Sequence, residues 1–173
     1  LDIATVLLAM IPFFTILFTP LFGALVDKVG KATLWMIVGS AMVLVSHLII
    51  TFAPQGEPMY AYIAIALLGI GYSLVPSAMW PSVPKIIPEK NLGTAYSLIY
   101  WVQNLGMWAV PIYVGRIFKK EITEAGNITQ EITAAIHAEY VFIFLGIVAI
   151  ATAMMLYHSS RRHPELRLDE PAQ

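Results

Sequence analysis

A chain of 173 residues that is 58% hydrophobic and only 12% charged, with a mean hydropathy of +0.74, is too apolar for a water-soluble domain, where charged residues alone make up about a quarter of the total. Its formal net charge of -1 removes the basic surface that a nucleic-acid binder needs. The lack of cysteine excludes structural disulfides, iron–sulfur clusters and thiolate zinc sites, so the bilayer is the expected solvent and lipid the first expected partner.

The sequence starts inside a hydrophobic stretch at Leu1, with no initiator Met, basic n-region or small-residue cleavage site. It is therefore expected to be cut from something longer and not to carry a signal peptide. A helical span needs roughly 20 mostly apolar residues, and five stretches qualify, at about 3–22, 32–53, 59–81, 94–117 and 140–158. The expected architecture is all-α and integral to the membrane, with a helical bundle over residues 1–158 and a polar tail over 159–173. Pro12, Pro20, Pro76, Pro81 and Pro111 fall within or at the ends of these stretches, which membrane helices tolerate as kinks. The run Pro81, Pro84, Pro88 should prevent the third helix from continuing, with Glu89 and Asn91 as caps for the fourth.

The connections alternate across the membrane, so their cations orient the chain. Lys28, Lys31, Lys85, Lys90, Arg161, Arg162 and Arg167 fall on one side, against Arg116, Lys119 and Lys120 on the other. The smaller set shares its loop with Glu121, Glu124, Glu131 and Glu139. That bias places the C-terminus in the cytoplasm. The sequon Asn127-Ile128-Thr129 then lies outside, where a glycan could be added in a eukaryote. The tail, polar and interrupted by Pro164 and Pro171, is expected to hang free in the cytosol.

Between the first two spans stands Gly23-Ala24-Leu25-Val26-Asp27-Lys28-Val29-Gly30-Lys31. Gly23 suits close helix approach, Asp27 can accept hydrogen bonds from a facing helix N-terminus, and Gly30 permits a tight turn. Lys28 and Lys31 lie where a helix C-terminus and an anionic leaflet both favour cations. This segment resembles the G-x-L-x-D-[RK]-x-G-[RK] loop signature of the major facilitator superfamily. Gly71-Tyr72-Ser73-Leu74, Ala78-Met79-Trp80-Pro81, Leu92-Gly93-Thr94-Ala95-Tyr96 and Gln103-Asn104-Leu105-Gly106 resemble the branch of that superfamily that contains lysosomal dipeptide transporters and prokaryotic relatives. The resemblance implies helices eight to twelve of a twelve-helix fold. The seventh helix and the N-terminal half would then be further partners. The location implied is a plasma (bacterial inner) membrane, with the lysosomal membrane as the alternative.

At about 100° per residue, Gly69, Tyr72, Ser73, Pro76, Ser77 and Trp80 of the third span share an arc of roughly 140°. Such a polar, aromatic stripe faces a cavity or protein, not lipid. A small-residue packing seam made by Gly69, Ser73 and Ser77 is an equal alternative. The resemblance implies that this span lines the central cavity, which favours contact with solute for Tyr72 and Trp80. On the fourth span Tyr96, Tyr100, Gln103 and Met107 align, with Asn104 beside them. The adjacent amides Gln103 and Asn104 each need several hydrogen bonds where bulk water is absent, supplied by a neighbouring helix or by a peptide-like ligand. His47 is expected to pack as a neutral side chain near the outer end of the second span, with a proton relay as the alternative. On this reading no intramembrane carboxylate, Lys or Arg is present, and charge chemistry belongs to the missing half.

The function these features imply is secondary transport of a small organic solute, dipeptides or similar metabolites, by rocker-switch alternating access. A non-transporting scaffold or receptor derived from a transporter is the alternative. An enzyme is not expected, because there is no HExxH, no paired intramembrane Asp and no nucleophile with a nearby base. No metal and no cofactor are called for.

Overall fold

The computed structural model describes residues 3–54, 56–123 and 126–171. Five long helices follow one another as α1 (Ile3–Val29), α2 (Ala32–Phe52), α3 (Pro58–Ile86), α4 (Leu92–Glu121) and α5 (Ile128–Arg162). Among the described residues, single 3-10 turns at Glu89–Asn91 and Pro164–Leu166 complete the secondary structure. Among the described residues, α1, α2, α3 and α5 are long and apolar enough to cross a membrane. The fourth helix is equally long at 30 residues, but its stripe of tyrosines and amides dilutes its apolarity.

The helices overrun the apolar stretches, and the extra turns have identifiable causes. α3 does not stop at its prolines: it passes through Pro81 and Pro84 to Ile86. Each proline removes one donor and displaces one carbonyl, and helical neighbours can absorb that loss in a membrane bundle. The helix ends at Ile87, which is extended at φ -104 and ψ 128, because the ring of Pro88 pushes the preceding residue out of the helical region. Neither expected cap forms. Glu89 sits in the 3-10 turn, and Asn91, at φ -109 and ψ 0, makes no side-chain bond to α4.

α5 begins at Ile128 instead of near residue 140. Asn127 Oδ1 accepts from the Gln130 amide at 3.3 Å, which is an N-cap. Gln130 clasps the previous turn, accepting from the Thr123 amide and donating to Thr123 Oγ1, both at 2.9 Å. Glu131 and Glu139 therefore lie on a helix, Glu121 at the end of another, and Glu124 lies outside the described residues.

The third helix is the hub, with extensive interfaces to α1 and α2, while α2 also packs on α5. At the α2–α3 crossing, Gly39 and Gly71 bring the backbones together, so that a Cβ on Gly71 would come within 2.8 Å of the Gly39 carbonyl oxygen. Close approach of this kind is how membrane helices gain packing energy when lipid is as apolar as the side chains. Leu74 and Ala78, on the face of α3 away from its polar stripe, are also buried. Val26, Ala32, Met36, Ala78 and Ala153 form a cluster joining α1, α2, α3 and α5 near the signature loop. α4 stands apart, packed against α5 and touching α3 over a small area.

The tail does not hang free. Leu168 is 1% exposed, and the Asp169 carboxylate accepts from the Thr33 amide at 3.0 Å and from the Ser160 hydroxyl at 3.0 Å. The described part of the tail is thus folded back onto the start of α2.

Candidate functional site

At the signature loop, α1 closes with Gly30 N–H donating to the Val26 carbonyl at 2.8 Å. Gly30 takes φ 69 and Lys31 φ 57, so the chain reverses through two successive left-handed residues, the first with no Cβ to resist it. Asp27 and Lys28 are exposed, and no hydrogen bond reaches the Asp27 carboxylate among the described residues. Gly23 has nothing within 4 Å of its Cβ position, so none of the neighbouring helices uses the close approach it permits. The loop thus leaves the Asp27 carboxylate unbonded and Gly23 without a close neighbour among the described residues.

The third helix distributes its stripe between two environments. Ser73 and Ser77 are buried, donating to the Gly69 and Ser73 carbonyls at 2.6 and 2.8 Å. They also reach the α1 carbonyls of Phe14 and Thr19 at 3.5 and 3.2 Å. A Cβ on Gly69 would lie 2.8 Å from Phe14 Cβ. Gly69, Ser73 and Ser77 are thus the seam between α1 and α3, and their geometry fits the packing alternative. Tyr72 points elsewhere and is 56% exposed.

Trp80 is the residue that meets the fourth helix. Its ring stacks on Tyr100 at a centroid distance of 5.0 Å and lies 5.8 Å from Tyr96 at a tilt of 39°. Three expected site residues are therefore brought together as an aromatic clamp between α3 and α4. Asn104 spends one donor on the Tyr100 carbonyl at 2.7 Å, within its own helix. Gln103 is exposed and finds no hydrogen-bond partner among the described residues. A tyrosine hydroxyl, an amide and aromatic faces can bind a small polar solute by hydrogen bonding and stacking.

Further along, α4 and α5 diverge around a groove of about 1010 Å³, lined by Trp108, Ile112, Tyr113, Tyr140 and Phe144, with Arg116 and Lys120 also in its wall. There His137 Nδ1 lies 3.2 Å from Glu121 Oε1.

His47 has a partner that was not foreseen. Its Nδ1 lies 2.7 Å from Glu139 Oε2, with side chains only 12% and 18% exposed, and its ring stacks on Phe142 at 5.1 Å. The helical bundle therefore does hold a partly buried carboxylate. Glu139 reads as a loop residue in the sequence because an apolar count cannot see the turns that Asn127 adds to α5. The 3.6-residue period carried back from Phe142 is the signal that would have found it. Asp169, which caps α2 from the tail, offered no signal of that kind.

The profile of the Major Facilitator Superfamily matches residues 1–173. Among curated proteins, the chain is 44% identical to the lysosomal dipeptide transporter MFSD1 of Mus musculus over 99 residues, which is 57% of this chain and 20% of the relative. The Homo sapiens protein of that name is 42% identical over the same extent. That of Danio rerio is 32% identical over 139 residues, or 80% of this chain and 27% of the relative. The matches thus span between a fifth and a little over a quarter of the relatives' length. No solved structure matches the chain. With the family profile matching from end to end, the chain belongs to the Major Facilitator Superfamily.

Proposed function

We propose that these five helices are helices eight to twelve of a secondary transporter, not an enzyme, that moves small organic solutes by alternating access. The observation that carries this is the signature loop, on a chain whose whole length matches the family, held so that the Asp27 carboxylate is exposed and unbonded. A gate between two rocking halves needs such a group: a carboxylate that bonds the other half in one access state and is released in the other. The basic bias of the connections puts this loop on the cytoplasmic side.

Dipeptides are the solute class we favour, because the relatives are named as dipeptide transporters and because the open side of α4 carries Tyr100 and Gln103. A peptide bond offers one donor and one acceptor, which an amide can satisfy together. The groove between α4 and α5 is the place we assign to the absent seventh helix. The relatives' name makes the lysosomal membrane the location to test first, with the bacterial inner membrane as the other.

The test is uptake of dipeptides into vesicles by the full-length protein and by its Asp27→Asn variant. The variant should bind dipeptide and remain folded while transporting at least about tenfold more slowly, the loss of one hydrogen bond to a charged group. Transport at the normal rate by Asp27→Asn would refute the gate role, and failure of the unmodified protein to move or bind any dipeptide would refute the solute class.

A further inference from the structure

The N-terminus of α2 has no cap of its own. Its N-cap residue, Lys31, is left-handed and makes no side-chain bond, yet Thr33 in the first turn is 0% exposed. The missing acceptor comes from the other end of the chain. Asp169 Oδ1 accepts from the Thr33 amide at 3.0 Å and from Thr33 Oγ1 at 2.8 Å, while Oδ2 accepts from Thr33 Oγ1 at 2.9 Å and from Ser160 Oγ at 3.0 Å. A carboxylate is the preferred charge there, since the helix dipole presents its positive end.

The surrounding backbone closes around the same point. Lys31 N–H donates to the Asp169 carbonyl at 2.8 Å, and a Cβ on Gly30 would collide with that carbonyl. Lys85, at the end of α3, donates to the Glu170 carbonyl at 2.8 Å. Leu168 is buried beside them, and the strand of chain turns through Arg167, left-handed at φ 51. Residues 163–170 are therefore a strap joining the ends of α5 and α3 to residues 30, 31 and 33, which lie three to six positions after Asp27.

We propose that this strap positions the signature loop, with Asp169 as the positioning residue, so that the tail governs how fast the transporter exchanges between its access states although it lies outside the solute path. The inference rests on the transport reading for its effect on rate, and on the bonds above for the docking itself. Gly30 has two constraints in this arrangement, the left-handed turn and the space taken by the Asp169 carbonyl, and both hold α1's last turn at one angle to α2. Without the strap the loop keeps its turn but loses its anchor. Asp27 then samples several positions, and turnover falls while solute affinity does not.

The experiment compares the full-length protein in nanodiscs with its Asp169→Asn and Leu168→Ala variants by two measurements. Amide hydrogen exchange at Lys31 and Thr33 should accelerate by about tenfold or more in both, in line with loss of a hydrogen bond to a charged group or of the side chain that seats it. Dipeptide uptake should show a lower kcat at unchanged KM. Unchanged exchange in both variants overturns the strap. Accelerated exchange with unchanged kcat, or with KM rising in its place, overturns its control of turnover. If the unmodified protein moves no dipeptide, the transport reading has failed and control of turnover falls with it, while the exchange measurement still decides the docking.

Discussion

Replacing Gly71 by Ala tests the central claim about packing, that α2 and α3 are held at backbone contact. The added Cβ would meet the Gly39 carbonyl oxygen at 2.8 Å, Met42 Cβ at 3.0 Å and Val43 Cγ2 at 3.1 Å, where ordinary contact begins at 3.4 Å. The first of these is backbone and cannot turn aside, so the helices must separate by roughly half an ångström along the crossing. Overpacking of this kind costs about 1–3 kcal/mol. Against it stands the helix propensity gained on leaving glycine, about 1 kcal/mol. The net expectation is a loss of about 1 kcal/mol, or a fall of about 2–4 °C in melting temperature for a protein domain of this size. Gly115→Ala on α4 is the control, because nothing lies within 4 Å of its Cβ position. Thermal unfolding in detergent, followed by the loss of monomer on size exclusion, should rank Gly71→Ala below the unmodified bundle and Gly115→Ala level with it or above. A Gly71→Ala protein as stable as the parent would mean that the two helices are not in backbone contact.

Three further outcomes follow from single contacts. His47→Gln and Glu139→Gln should not add: a double-mutant cycle on unfolding should return a coupling of about 1–3 kcal/mol for the 2.7 Å pair, and an additive result would show that the contact is not made. Trp80→Ala removes two ring contacts worth about 0.5–1.5 kcal/mol each, so hydrogen exchange should accelerate across residues 94–104 of α4 while the α2–α3 seam stays protected. Asn127→Ala should cost about 1 kcal/mol through loss of the cap on α5, whereas Asn127→Asp should keep the cap and remove the glycan acceptor, as calorimetry and a mobility assay on the two variants would show.

The existence and order of the five helices were legible because an apolar run of roughly 20 residues has no soluble competitor in a chain this hydrophobic. Their ends were not legible. Pro81 and Pro84 look like stops in water, and only Pro88 acts as one, through its effect on Ile87. The start of α5 depends on Asn127 and on a Gln130–Thr123 clasp, which no hydropathy count registers. Helical geometry puts Ser73, Ser77 and Trp80 on one arc, but an arc does not say what it meets: the serines meet α1 and the tryptophan meets α4. Asp169 was invisible for a different reason. Its partner Thr33 is 136 positions away, and a single aspartate in a polar tail breaks no pattern.

The fourth helix is the least covered element of the bundle, with none of its described residues buried. α1, α2, α3 and α5 are knitted by glycine crossings, the Val26–Ala153 cluster and the tail strap, so they form one packed unit. α4 is tied to that unit at one end by the Trp80 clamp and at the other by its hairpin with α5. Yet α4 carries Tyr100, Gln103 and Asn104, together with Gly106 and Gly115, whose Cβ positions are open. An amide left in hydrocarbon without a partner costs several kcal/mol, which weighs against a lipid-facing place for Gln103. Small residues on a membrane helix are where another backbone approaches. Polar groups seeking partners and glycines seeking neighbours thus coincide on the element with the least cover from its own chain. On the transport reading proposed above, that coincidence is what a helix facing both further helices and the solute would show.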